Sequence, residues 1–242
     1  MAGLLVQEAM LRGYHGYVLD IPVTDGIEQF VSGLVTTALD NGVDLLIIQS
    51  VRPGTVLTRH QLDHLVPLVH RFSLMTYDFH HVAGGEPGAI GVPNSPLPWV
   101  RQTVEAFAPQ GEGGSGDDLR GKVLLGMPFY GYDGGRALSY HDAVSILKGE
   151  QSAGGDLDNT SGGGGGGGGV GLSDSDRAPS MFWNKPAAEH FMSYLGRDGE
   201  QHIANYPTLA FIQERIELAQ ELGVGLALWE LGQGMPYFFD LF

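Results

Sequence analysis

Phe72-Ser-Leu-Met-Thr-Tyr-Asp-Phe79 is a short apolar run that closes on a Tyr-Asp pair. Helical periodicity precedes it, and a Gly/Pro-rich loop, His80 to Ser95, follows it. This is how a buried parallel strand reads when its C-terminal end opens onto a site. Such strands are covered on both faces and lose polar alternation, and barrel chemistry collects at strand exits. Working outward, the rest of the chain repeats the same unit of strand, loop and helix. Upstream, Leu4 to Leu11 reads as a helix stopped by Gly13, and Tyr17 to Ile21 as a strand ended by Pro22. Thr24 or Asp25 can cap the next helix, whose stripe runs Ile27, Phe30, Val31, Leu34, Val35, Ala38, Leu39 and stops at Asn41-Gly42. Asp44 to Val51 is the next strand. Its unbroken Leu45-Leu-Ile-Ile48 predicts burial on both faces. Thr58 with Gln61 forms a capping box ahead of Leu62, Leu65, Val66 and Val69.

Downstream, Ser95-Pro96 offers a cap and a first-turn proline for a helix lined by Trp99, Val100, Thr103, Val104 and Phe107. Lys122 to Phe129 reads as a strand, Ser139 to Leu147 as a short helix, and Met181 to Tyr206 as holding a hairpin with Asp198-Gly199 at its turn. A long helix follows Thr208, and Val224 to Glu230 is the last strand. Two Gly-rich inserts, 110–118 and 149–180, have too little to bury and are expected to lack structure. The second holds eight consecutive glycines, Gly162 to Gly169, and an Asn159-Thr-Ser161 acceptor pattern. Five strands alternating with helices predict an α/β fold with a parallel sheet. The chain is expected to be one domain, 1–242, with 181–206 inserted before the last helix.

Composition limits the partners. The 242 residues carry 13 Lys+Arg against 28 Asp+Glu, a net charge of −15, with 43% hydrophobic residues and no cysteine. No basic stripe is available for nucleic acid or anionic membrane. No apolar span is long enough to cross a bilayer. Disulfides and thiolate chemistry are excluded. Met1 to Met10 reads as an amphipathic helix rather than a signal peptide. No strand is followed by a Gly-rich phosphate loop, which argues against nucleotide binding, and no cofactor is implied. The adjacent His80 and His81 lack a third ligand at metal-site spacing, so no metal is expected.

Phe72 to Asp78, Leu125-Gly-Met-Pro-Phe-Tyr-Gly131 and Gly225-Leu-Ala-Leu-Trp-Glu-Leu-Gly-Gln-Gly234 resemble the last three strands of glycoside hydrolase family 18, the chitinases. Met181-Phe-Trp183, Ala188-Glu-His-Phe191, Tyr206-Pro-Thr-Leu209 and Phe239-Asp-Leu241 resemble a narrower group, the chitinase domain-containing (stabilin-interacting chitinase-like) proteins. The resemblance implies a (β/α)8 TIM barrel with a small α+β insertion. The chain would supply its last five strand–helix units, the first three being absent. An oligosaccharide ligand, a protein receptor and a secreted or lysosomal location are implied as well.

The family's Asp-x-x-Asp-x-Asp-x-Glu motif, laid on Tyr14 to Pro22, falls on His15, Val18, Asp20 and Pro22. Only Asp20 matches. In the family's substrate-assisted reaction the Glu protonates the leaving oxygen. Proline has no proton to give, so the resemblance implies a binding protein rather than an enzyme. The rivals are a glycosidase working through Asp20 or Asp78, since these, with Asp133 and Glu230, fall at or just past strand ends, and a protein-interaction scaffold. The sugar-contacting set implied by the resemblance is Asp20, Met75, Tyr77, Asp78, Tyr130, Trp183 and Trp229. Indole and phenol rings there would stack on sugar faces, and carboxylates would take hydroxyl or amide hydrogens.

Overall fold

The computed structural model describes residues 1–24, 26–55, 57–83, 91–109, 116–150 and 178–242. Asp25, most of the first Gly-rich insert, nearly all of the second and its Asn159 acceptor lie outside them. The described chain divides into two compact units. The first is Met1–Asp78, Pro98–Met127 and Arg215–Ala227; the second is Phe79–Leu97, Pro128–Glu214 and Leu228–Phe242.

The first unit is built on a parallel sheet. Helix α1 (Ala2–Arg12) ends as predicted at Gly13, whose φ of 71° places it in the left-handed region. Strand β1 (Gly16–Leu19), helix α2 (Ile27–Asp40), strand β2 (Leu46–Val51), helix α3 (Arg59–Leu65) and strand β3 (Arg71–Leu74) follow. Helix α4 (Phe79–Val82) lies in the second unit, and α5 (Leu97–Phe107), α6 (Gly116–Gly121) and β4 (Val123–Pro128) come next along the chain. The sheet order is β1-β2-β3-β4-β10, where β10 is Gly225–Trp229. The Thr58 capping box is present, with the hydroxyl accepting from the Gln61 N–H and Gln61 Oε1 from the Thr58 N–H.

Register explains the core. Leu19, Gln49, Phe72 and Val123 stand in one row across the four strands, and Val51, Leu74 and Leu125 in another. Every one of these side chains is buried. Phe72 is closed off by Phe107 of α5, with ring centroids 5.4 Å apart. Burial of this one side chain stabilises the unit by about 1.5–3 kcal/mol. The opposite face differs from the expectation of two covered faces. Val18 is 62% exposed and Leu46 49% exposed, so β2 alternates instead of being buried throughout. The apolar run Leu45 to Ile48 misled because composition reports the strand type, whereas burial of each face depends on what packs against it.

Two cations just ahead of β4 take the carbonyls at helix ends. Arg120 is buried, and its guanidinium donates to the Ala108 and Leu222 carbonyls at 2.7 and 3.1 Å. These carbonyls close α5 and α8 (Leu209–Leu222), where acceptors are left without helical partners. Lys122 Nζ donates to the Val66 and Val69 carbonyls past α3. The anchoring of Arg120 accounts for helix α6, where residues 116–118 were expected to be unstructured.

The second unit is an antiparallel sheet of order β6-β5-β9-β8-β7. Its strands are β5 (Gly131–Asp133), β6 (Arg136–Leu138), β7 (Ser180–Asn184), β8 (Glu189–Leu195) and β9 (Gln201–Asn205), with helix α7 (Tyr140–Leu147) after β6. The predicted turn at Asp198-Gly199 joins β8 to β9, with Gly199 at φ 83°. The sheet begins fifty residues before the expected insertion because β5 and β6 are three residues each, too short to show a period of two. Gly131 is needed where it sits, since a Cβ there would overlap the Asn205 carbonyl. Phe129 is buried between Phe238 and Phe239, at centroid distances of 5.3 and 5.8 Å.

Candidate functional site

In the first unit the candidates gather at the exits of β1 and β3. Asp20 follows β1 directly and is exposed, and Pro22, two residues on, is exposed too. The β1 exit is fixed by Gln49 of β2, a fully buried residue whose Nε2 donates to the Leu19 and Ile21 carbonyls at 3.2 and 3.1 Å. Its Oε1 is buried without a hydrogen-bond partner among the described residues. Sequence reasoning passed over Gln49. The signal available was a lone amide in the middle of an apolar strand, which must find backbone partners when buried.

At the β3 exit the chain leaves the ladder but stays anchored. The Met75 N–H donates to the Val51 carbonyl at 2.9 Å, and Thr76 Oγ1 donates to the Gly126 carbonyl at 2.6 Å. Tyr77 is buried and Asp78 half-buried, the latter with φ 60°. Burial first, then the negative charges of Asp78 and Asp20, push the Tyr77 phenol far above its ordinary value, with Arg52 opposing them. Tyr77 is therefore a neutral O–H donor at any physiological pH, with two carboxylates in its field. Met75, half-buried, precedes it on the same segment.

In the second unit, Tyr130 and Trp229 stand at the exits of β4 and β10. The Phe129 N–H donates to the Trp229 carbonyl at 2.7 Å, which sets Trp229 beside the Phe129-Tyr130 step. Trp229 is 47% exposed, and its peptide bond to Glu230 is cis. Tyr130 is buried, with its carbonyl accepting from Asn94 Nδ2 at 3.1 Å. Trp183 stands apart. It lies on the edge strand β7, three strands from β5, so roughly 14 Å from the β5 end of the sheet at the usual strand spacing. Its ring packs against His190 at 4.6 Å. Glu230 caps the 3₁₀ turn Leu231–Gln233 by accepting from the Gly232 N–H at 3.2 Å.

His80 and His81 lie on helix α4 rather than in an open loop, and His80 is buried against Tyr132, with centroids 4.7 Å apart. Among the described residues no group of three or more His, Asp or Glu is placed to hold a metal. No described helix is long and apolar enough to cross a membrane.

No family model matches the chain. Solved structures do resemble it. The spore cortex-lytic enzyme SleL of Bacillus cereus aligns with a TM-score of 0.69 at 17% identity, over 99% of this chain and 51% of that one. A chitinase from Chromobacterium violaceum gives 0.68 at 16%, over 99% and 68%. A GH18 chitinase from Cycas revoluta, in complex with (GlcNAc)4, gives 0.69 at 16%, over 99% and 71%. The chain thus spans about half the length of the SleL enzyme and about seven tenths of the chitinases. Its fold is that of the chitinase-type (β/α) barrels of glycoside hydrolase family 18, represented among the described residues by a five-stranded sheet in which β1 to β4 run parallel.

Proposed function

We propose that the chain is a chitinase-like protein that binds N-acetylglucosamine oligosaccharides and does not hydrolyse them. The observation carrying this reading is the pairing of strand exits in the first unit. Tyr77 is held as a neutral donor in the field of Asp20 and Asp78, while Pro22 occupies the place where the family resemblance puts the general acid. Hydroxyl and acetamido groups suit such a mixed donor and acceptor set, and no proton can leave a proline. Trp229 is a separate candidate for contact with a sugar face, because its indole is half open to solvent. The sequence likeness to the chitinase domain-containing branch supports the silent reading, and carries with it a secretory or lysosomal location.

The rival reading is an active glycosidase, favoured by the two carboxylates that share the field of Tyr77. Calorimetric titration of chitin oligosaccharides, with product assayed in the same tube, separates the two. Saturable heat without product, weakened by Tyr77→Phe and by Trp229→Ala, is the expected result. Product that disappears in Asp20→Ala would overturn it in favour of the enzyme. Neither heat nor product would point to a protein partner instead.

A further inference from the structure

A cluster of charged side chains in the second unit lies outside the sugar-contacting set, and only Asp133 among its members was named above, as a carboxylate past a strand end. His202 on β9 lies between two carboxylates. Its Nδ1 is 2.9 and 3.1 Å from the Asp133 oxygens, and its Nε2 is 3.0 and 3.2 Å from those of Asp198. A carboxylate only accepts, and a neutral imidazole has one N–H and one lone pair. Two carboxylate partners call for two N–H groups, so the arrangement is complete only when the ring is an imidazolium.

We propose that His202 is a proton-operated clasp on the turn joining β8 to β9. Protonated, it holds that turn to β5 by bridging Asp198 to Asp133. Deprotonated, it keeps one partner and presents a lone pair to the other. The partner kept is Asp133, whose side chain is 8% exposed, while that of Asp198 is 56% exposed and has water to turn to. The turn is then released at Asp198.

The groups around the ring fit this assignment. On β5, Asp133 also accepts from the Tyr194 hydroxyl of β8 at 2.8 Å, and Arg136 of β6 approaches it at 3.7 Å. Arg136 is shared with Asp142 of α7, 3.2 Å away. Burial and the hydrogen bond to Asp133 push the Tyr194 phenol far up, so it stays a donor. In the turn, Asp198 Oδ1 accepts from the Glu200 N–H at 3.0 Å, and Arg197 donates to the Glu150 carbonyl at 2.6 Å. Partial burial of His202 works against its charge, but the hydrogen bonds to Asp133 and Asp198 outweigh it and raise its pKa above the ordinary 6.5. A raised folded value means that the clasp contributes fully below 6.5 and is lost as pH rises through the folded value.

The test is a pH titration of the full chain by NMR, reading the two ring nitrogens of His202 and the exchange of the Gly199 and Glu200 amides. We expect both nitrogens protonated on the acid side and a midpoint above 6.5. Through that midpoint, turn protection should fall several-fold beyond the base catalysis seen at other strand amides. In Asp198→Asn that extra step should vanish while the sheet amides stay protected. A ring carrying one proton throughout, a midpoint at or below 6.5, or a turn that tracks the rest of the sheet would each overturn the clasp. The wild-type titration decides the matter even if the variant fails to fold.

Discussion

Replacing Gly126 by alanine tests how tightly β3 and β4 meet beneath the candidate site. A Cβ at this position would lie 3.0 Å from Tyr77 Cε1 and 3.3 Å from the Leu74 carbonyl carbon, and nearer still to the Leu74 oxygen. That oxygen is backbone, held in a parallel ladder whose strands sit about 4.8 Å apart, so it cannot turn aside. Overpacking a core costs about 1–3 kcal/mol where side chains can adjust. Here strand separation also threatens ladder bonds and the bond from Thr76 to the Gly126 carbonyl, each a further ~1 kcal/mol. The expected loss is about 3–5 kcal/mol, a large part of the stability of an ordinary domain. At a urea m-value of about 2 kcal/mol/M, the unfolding midpoint should drop by roughly 2 M. Gly225→Ala is the matched control. A Cβ there meets only Leu124 Cδ2 at 2.7 Å, with the Val123 oxygen next at 3.7 Å. A leucine methyl can swing away, so this variant should lose less than about 1.5 kcal/mol. Equal midpoints for the two variants, or a Gly126→Ala loss below about 1 kcal/mol, would refute the reasoning.

Three further expectations rest on separate interactions. Glu189 is a buried carboxylate that accepts from the Asn94 and Ser95 N–H groups at 3.0 and 2.7 Å. Glu189→Gln turns an NH2 toward one of those donors and should cost about 2–3 kcal/mol by thermal unfolding. Thr58→Ala removes the capping box of α3 and should cost about 1 kcal/mol, most of it recovered by Thr58→Ser. His190 is held below its ordinary 6.5 by burial. Its contribution to stability is full above 6.5 and is lost as pH falls through the folded value, opposite in sense to His202. In His190→Gln the acid side of the stability profile should flatten, and an unchanged slope there would count against it.

Much of the first unit was legible because its signals are local. Gly13 and the Thr58-Gln61 pair act within one helical turn, and the stripe Ile27, Val31, Leu34, Ala38 of α2 is buried as its spacing requires. Leu39, read into the same stripe, is exposed, since it lies beyond the width of face that the sheet can cover. The strand exits were less legible. Phe72 to Asp78 reads as one strand, yet the ladder stops at Leu74 and the Tyr-Asp pair hangs from hydrogen bonds to Val51 and Gly126. Those partners are remote in sequence and have no local signature. The antiparallel sheet was legible only where a turn residue announced it, at Asp198-Gly199. Buried Arg120 and Gln49 went unread for the same reason as the exits. Their roles are defined by carbonyls on other elements.

The β1 exit shows how this architecture accommodates a proline at position 22. Position 22 is exposed. The turn out of β1 is held from β2, where Gln49 takes the Leu19 and Ile21 carbonyls from within the core. Proline cannot donate a backbone hydrogen bond, but the exit needs only acceptors at Leu19 and Ile21, so the ring is tolerated. Asp20, between those two anchored carbonyls, keeps its place whatever stands at position 22. A polar exit able to accept hydrogen bonds therefore does not depend on the side chain at position 22. That is what the proposed binding without hydrolysis requires of the β1 exit.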